Sequence, residues 1–292
     1  MTALGLELTT NNKQSGMIIK YTKDGFDEFV IDITGNDDIS INKIINTQDG
    51  GFAVVGYFES TNIYVNGANT GITGDGTRNG MLLKFNSTGE YQWGGKLEGT
   101  GSEELTSLIQ LNDGSYAVGG SFTSESLSVN GEILTNMSGK DGVIAGYTST
   151  GTLDWAVRMA GTGKDEVVAL TKAANGEIAV IGNYEGELDL DGDDSYELTS
   201  IGQQDGFFAK YDTNGNLDWY KTIGSSNTDR LNSIITLEDG NYVIVGSYGG
   251  DVDLDEDSTN DLTSKGSFDG MIIKYNSTGT FISSQTLGGN AD

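Results

Sequence analysis

Two segments combine residue type and spacing in a way that could do chemistry. Asp189-Leu190-Asp191-Gly192-Asp193-Asp194 and Asp251-Val252-Asp253-Leu254-Asp255-Glu256-Asp257 place carboxylates at alternate positions. Hard cations, calcium above all, are gathered by loops that present oxygen ligands in this way. The candidate metal ligands are therefore Asp189, Asp191, Asp193, Asp194, Asp251, Asp253, Asp255 and Asp257. Neither run is an EF-hand loop, because the sixth position is not Gly and no twelfth-position Glu follows in the right context. Strand alternation gives the bland alternative, with Leu190, Val252 and Leu254 facing inward and the aspartates facing water.

Other chemistry is poorly served. The chain has no Cys and no His, which excludes disulfides, thiolate metal sites, Cys–His pairs and imidazole bases. Paired carboxylates could serve glycoside hydrolysis. Asp212-Thr213-Asn214-Gly215-Asn216-Leu217-Asp218-Trp219 looks superficially like the Asp-box of sialidase propellers, with Gly-to-Trp spacing one residue too long. Arg78, Arg158 and Arg230 fall at non-equivalent places and give no arginine cluster. Asn86-Ser87-Thr88, Asn136-Met137-Ser138 and Asn276-Ser277-Thr278 match the glycosylation sequon, but two of the three sit where a turn wants Asn. Lys20, Lys84, Lys210 and Lys274 recur at one strand position, without a phosphate loop. They read as solvent-facing lysines opposite aspartates.

Charge narrows the partners. With 43 acidic and 16 basic residues the formal charge is −27, a field that repels nucleic acid and anionic lipid headgroups alike. The acidity suits solubility, divalent-cation binding or adaptation to high salt. No stretch reaches the roughly 18 apolar residues of a membrane span, and 1–10 lacks the basic start and apolar core of a signal peptide. Pro is absent altogether, and nothing in the sequence explains that.

The elements that must hold these residues are written as a repeat. A Gly-apolar segment ending in Tyr or Phe begins at Gly16, Gly80, Gly142, Gly206 and Gly270, at spacings of 64, 62, 64 and 64 residues. A second segment, opened by Asp49-Gly50, Asp113-Gly114, Asn175-Gly176 and Asp239-Gly240, recurs with the same period. Asp-Gly or Asn-Gly between two β-rich runs is the strongest short hairpin signal, since both residues tolerate φ > 0. Each unit thus reads as four antiparallel strands: A as in 105–111, B as in Tyr116–Phe122, C as in 143–147 and D as in 153–159. Phe29, Trp93, Trp155 and Trp219 each follow a turn glycine by four residues, and Ser283 stands at the fifth such place. Even placement inside strand D favours sheet-to-sheet packing over a sugar-stacking platform.

The expected fold is all-β, a β-propeller of four-stranded antiparallel blades with about 64 residues per repeat. It comprises a half blade at 1–34 and blades at about 35–98, 99–160, 161–223 and 224–288, all within a single domain over 1–292. Segments A and B occur four times, C and D five, since Leu6-Glu7-Leu8-Thr9-Thr10 matches Tyr196-Glu197-Leu198-Thr199-Ser200 and the last strand D is followed by Gly288-Gly289-Asn290. A closed five-bladed ring would need one further A–B hairpin; the alternatives are an excerpt of a larger ring, a hairpin from another copy, or an open edge. In such a blade the B–C and D–A connections emerge on one face. The D–A acids Asp37-Asp38, Glu103-Glu104, Asp165-Glu166 and Asp229 would then join the B–C loops in an electronegative rim, or simply keep the protein soluble.

The unit D-x-x-x-S-I-x-x-x-x-D-G-x-Y-x-V-x-G…D-L-D…L-T-S-x-G-x-x-D-G-F-x-x-K-Y-x-x-x-G-x-L-x-W, most complete over 165–219 and 229–275, resembles the SBBP-type repeats of bacterial extracellular β-propeller proteins. The resemblance covers essentially the whole chain. It implies export, a place at the cell surface or in a secreted multidomain protein, and no common catalytic residues. Gly146 departs from the usual Lys, and the first two complete units lack the D-L-D segment. The expected function is a non-catalytic extracellular module for adhesion, recognition or scaffolding, with calcium as the one candidate ion and no required cofactor. Its partners would be protein or carbohydrate at the cell surface, or copies of itself through the open half blade. Against it stand a lectin-like propeller with a sugar site per blade, a glycoside hydrolase, and a subunit that joins head to tail into fibres.

Overall fold

A computed structural model describes residues 13–129, 132–137 and 139–289, with the backbone alone of Thr2–Ala3 and Leu6–Glu7. Leu8, Thr9, Thr10, Ser138 and Asn290, which enter the repeat and sequon arguments, lie outside the described residues. All regular structure among the described residues is β. Asp-Gly and Asn-Gly turns carry positive φ at Gly50, Gly114, Gly176 and Gly240, so the chain reverses where the sequence places each A–B hairpin. Every complete unit forms one antiparallel sheet in chain order. The first holds Ile39–Asn46, Phe52–Phe58, Asn79–Phe85 and Tyr91–Leu97. The second holds Glu103–Gln110, Tyr116–Phe122, Asp141–Tyr147 and Leu153–Gly161. The third holds Glu166–Lys172, Ile178–Tyr184, Asp205–Tyr211 and Leu217–Ile223. The fourth holds Arg230–Thr236, Tyr242–Tyr248, Asp269–Tyr275 and Phe281–Leu287.

Register irregularities repeat with the sequence. Strand A shifts between Ile41 and Lys43, Leu105 and Ser107, Val167 and Ala169, and Leu231 and Ser233. One extra residue at the same place bends each strand A and raises its twist. A leading sheet precedes the first, formed by Gly16–Tyr21 and Asp27–Thr34. It is extended by the hairpin Asn62–Val65 and Ala68–Thr73, which lies in the B–C connection of the next unit. In the same way Glu187–Asp189, from the B–C connection of the third unit, pairs with the last strand of the second sheet through Ala160 and Gly161. Each such connection reaches back to its predecessor, so the loops tie sheet to sheet.

Four apolar clusters hold the sheets together, each shared between neighbours. Ala117 and Ile144 of the second sheet, for instance, pack with Leu170, Val180 and Phe207 of the third. Ile181 and Phe208 of the third meet Leu231, Ile244 and Met271 of the fourth. Strand A of the fourth unit supplies Leu231 and Ile234, which cover the face of the sheet before it and leave Phe208 and Ile181 fully buried.

The strand-D aromatics make a second, regular contact. Added Cβ atoms at the C–D turn glycines would meet Phe29 at Gly89 (3.0 Å), Trp93 at Gly151, Trp155 at Gly215 (2.8 Å) and Trp219 at Gly279 (3.0 Å). Each ring thus lies on the turn of the following sheet, the packing role expected from its placement. Gly25, the turn of the leading sheet, has nothing among the described residues within 4 Å of such an atom. This gives an internal control. Gly25 and Gly151 have φ of 84° and 87°, so alanine at either place carries the left-handed backbone cost of about 1–2 kcal/mol. Gly151→Ala adds a collision with Trp93 and should lose a further ~1–3 kcal/mol. Denaturant titration of the two variants checks this; equal losses would place the ring away from the turn.

Candidate functional site: paired acidic loops

The two acidic runs fold into loops of one design. In the third unit the loop opens from Glu187–Asp189 and closes on Leu198–Thr199; in the fourth it runs between Asp251–Val252 and Leu262–Thr263. The first acid of each, Asp189 or Asp253, receives backbone amides on both oxygens. Gly192 N donates to Asp189 Oδ1 (2.7 Å) and Asp194 N to Oδ2 (2.9 Å). Glu256 N and Ser258 N donate likewise to Asp253, at 2.8 and 2.9 Å. Asp191 Oδ1 accepts from Asp193 N and Asp255 Oδ1 from Asp257 N. An acid eight residues beyond the first closes each ring: Leu190 N donates to Glu197 Oε2 (2.6 Å), and Leu254 N to Asp261 Oδ2 (2.7 Å). The sheet anchors both loops, since Tyr211 Oη donates to the Leu190 carbonyl and Tyr275 Oη to that of Leu254.

This scaffold turns the carboxylates toward one another. Asp189, Asp191, Asp193 and Glu197 offer oxygens all within 4.8 Å, as do Asp253, Asp255 and Asp261. Burial first, and the neighbouring carboxylates after it, push the Asp191 and Asp255 carboxyls above their usual range. Burial raises Glu197 too, with Asp191, Asp189 and Asp193 adding to it. A divalent cation would relieve that repulsion. The donor set is all oxygen, in a loop of alternate acids, which fits calcium or magnesium and not a metal that prefers nitrogen or sulfur.

The remaining sequence candidates lie at the margins. Asp194 joins Asp189 in binding Arg158, whose Nη2 donates to Asp194 Oδ1 (2.6 Å) and Asp189 Oδ2 (3.1 Å). Asp257 accepts the amide and hydroxyl of Thr259. Asp251 is exposed at the start of its short strand. Glu197 and Asp261 join these groups without having been among the sequence candidates. Their signal was present, an acid at both places 64 residues apart. A third acidic group, Asp37, Asp38 and Glu59, already meets cations of the chain, Lys13 on Asp37 (2.8 Å) and Arg78 on Glu59 (3.0 Å).

Burial removes three acids from the expected D–A rim and leaves Asp37, Asp38, Glu104 and Glu166 half-buried at the surface. Glu103, Asp165 and Asp229 lie inside, as do Asp141, Asp205 and Asp269 at the start of strand C. They staple loops: Gly99 N donates to Glu103 Oε2 (2.8 Å), Ser225 N to Asp229 Oδ2 (2.6 Å) and Gly249 N to Asp229 Oδ1 (3.0 Å). Asp205 Oδ2 accepts from Ile201 N, while among the described residues its buried Oδ1 has no hydrogen-bond partner beyond the Asp229 carboxyl beside it. Two of the recurring lysines are also buried: Lys84 sits on Asp49 (2.8 Å), and Lys210 on Glu177 and on Asp218 (3.1 Å). Lys20 and Lys274 stay more open, on Glu28 and Asp239.

Burial pushes the carboxyls up, Asp165 to about 8, Glu103 to about 7 and Asp205 to about 6. Between the ordinary carboxyl range near pH 4 and these values, the folded chain holds protons that the unfolded chain has released. Their contribution to stability is therefore whole below about pH 4 and declines as pH rises toward about 8. Lys84 beside Asp49 acts oppositely, holding that carboxyl at about 2, so its contribution is lost as pH falls from about 4 to about 2. Urea unfolding should give greater stability at pH 5 than at pH 8.5. Asp205→Asn, which keeps an acceptor for the Ile201 amide and offers Asp229 a donor, should flatten that slope; a slope unchanged by the substitution would contradict the account.

No family model matches the chain. Among curated proteins it is similar to the regulatory protein FlaEY of Caulobacter vibrioides, 30% identical over 173 residues, a match covering 57% of this chain and 18% of that protein. The chain thus spans less than a fifth of that relative's length. Among solved structures it is similar to a protein of unknown function from Bacteroides caccae, 10% identical, with 94% of each chain covered and a TM-score of 0.36. A likeness of that size carries no argument about this chain.

Proposed function

We propose that this chain is a non-catalytic propeller module of an extracellular or cell-surface protein, used for recognition or scaffolding, whose B–C loops are braced by calcium. The carrying observation is the duplicated loop. Two segments 64 residues apart repeat the same backbone hydrogen bonds and gather carboxylates within 4.8 Å. Two loops built alike in different sheets point to a shared ligand. In the third unit Asp189 pairs with the strand before it through Ala160, so a bound ion would stiffen a junction between sheets as well as its own loop.

The propeller reading draws support from the strand order within each sheet and from the ring-on-glycine contacts that join successive sheets. The surface reading rests on the repeat's resemblance and on the charge.

Thermal unfolding in millimolar calcium, in chelator, in magnesium and in high sodium chloride tests the proposal. Calcium at a hundred times its dissociation constant would add about 2.7 kcal/mol per site, which for a chain of this size raises Tm by roughly 5 °C or more. Asp191→Asn combined with Asp255→Asn should remove the rise. Equal melting in calcium and chelator would leave the aspartates as solvated surface, and an equal rise in sodium chloride would reduce the effect to charge screening.

A further inference from the structure

The C–D end of the sheets carries a site that the acidic loops do not involve. In four of the five repeats a strand-C lysine ammonium is bound by carboxylates from the A–B turn or strand D. Lys20 binds Glu28, Lys84 binds Asp49, Lys210 binds Glu177 and Asp218, and Lys274 binds Asp239. Lys84 Nζ also donates to the Phe85 carbonyl (2.7 Å), and the Lys84 and Lys210 side chains are more than nine-tenths buried. The fold thus contains a built ammonium site, repeated along the chain.

The second unit departs from it in one residue. Gly146 stands where the lysine belongs, yet both carboxylate positions are kept, Asp113 in the A–B turn and Asp154 in strand D. Asp113 aligns with Asp49, and Asp154 with Asp218. The first unit pairs its turn acid with Gln92 in strand D, and the fourth pairs its own with Ile282. The second is therefore the complete unit with acids at both of these positions and no lysine between them. A cleft of about 230 Å³ opens there, lined by Asp113, Tyr116, Gly146, Asp154, Trp155 and Asn214 among others. Trp155 leans over Gly146, where a Cβ would meet its indole nitrogen, and Trp155 Nε1 donates to the Thr213 carbonyl (3.1 Å). The volume is below the roughly 300–1,000 Å³ of pockets that take drug-sized ligands. It suits a single side chain.

We propose that this cleft binds a primary ammonium on an alkyl stem, the group that the sister repeats supply from within. Asp113 and Asp154 furnish the charge, and the Trp155 and Tyr116 rings furnish apolar and cation–π walls. The partner is a lysine side chain or a free alkylamine. This names what one surface of the module recognises and so rests on the recognition reading; the cation response of the acidic loops is separate from it.

The test is amide-resolved NMR titration of the full chain with Nα-acetyl-lysine-N-methylamide, with n-butylamine, and with the uncharged norleucine analogue. Saturable shifts centred on Ser115, Gly146 and Thr213 are expected with the lysine derivative and absent with the norleucine one. Equal binding of n-butylamine would assign recognition to ammonium and stem alone; binding of the lysine derivative only would add the peptide backbone and point to a protein partner. Gly146→Lys, a change with precedent beside Trp93 and Trp219, should fill the cleft from within and abolish binding, while Asp113→Asn or Asp154→Asn should weaken it about tenfold. No saturable shift at tens of millimolar ligand, binding that survives Gly146→Lys, or the same shifts produced by calcium would overturn the proposal. Loss of amine binding with the calcium-dependent Tm rise intact would reject the cleft and leave the recognition scaffold standing.

Discussion

The seating of a strand-D ring on the turn glycine of the next sheet is the constraint on which the rest depends. A four-stranded sheet of 28 or so strand residues buries too little by itself to offset the entropy of ordering it. Stability must come from stacking one sheet on the next, and stacking needs a fixed offset. Strand A supplies the broad apolar cover, as Leu231 and Ile234 do over Phe208 and Ile181. The ring sets where the edge of the next sheet falls, because only a glycine lets Trp93, Trp155 or Trp219 approach its turn so closely. Once the offset is set, the B–C connections of the first and third units pair with the last strand of the preceding sheet, and the acidic loops and the C–D cleft follow from that geometry.

A net charge of −27 opposes compaction, and the structure manages it in three ways. Backbone amides take up the first acid of each loop and the buried acids at the start of strands A and C. Lysines and arginines neutralise others locally, as Arg158 does for Asp189 and Asp194. The rest stay gathered, and the loops around Asp191 and Asp255 concentrate repulsion that an ion would relieve. The buried carboxyls answer differently, by holding protons that exposed acids would lose at the same pH.

Much of this was legible in the residues. Asp-Gly turns, glycine-led strands and the 64-residue period placed the strands at 105–111, 116–122, 143–147 and 153–159 to within about two residues of those observed, because turn chemistry is local. The alternate acids of 189–193 and 253–255 were legible for the same reason. Glu197 and Asp261 were not, since they meet the other carboxylates only after the short strands around them pair. Glu103, Asp165 and Asp229 looked like surface because charge suggests water; their burial depends on amides four residues earlier and on the sheet beside them. Arg158 stood in the sequence only as one of three arginines at non-equivalent places, and it is the residue that meets the loop of the next unit. Gly146 stood out in the sequence as a departure, and its meaning emerged only when the cleft beside it could be compared with the lysine sites of its sister units.

The contact between Trp155 and Gly215 carries the stacking most directly, and a double-mutant cycle measures it. Trp155→Ala should relieve the collision created by Gly215→Ala, leaving a coupling energy of about 1–2 kcal/mol, while Trp155→Ala and Gly279→Ala, which belong to different junctions, should add within about 0.5 kcal/mol. Additive losses at 155 and 215 would mean that ring and turn do not meet, and the stacking described here would be contradicted.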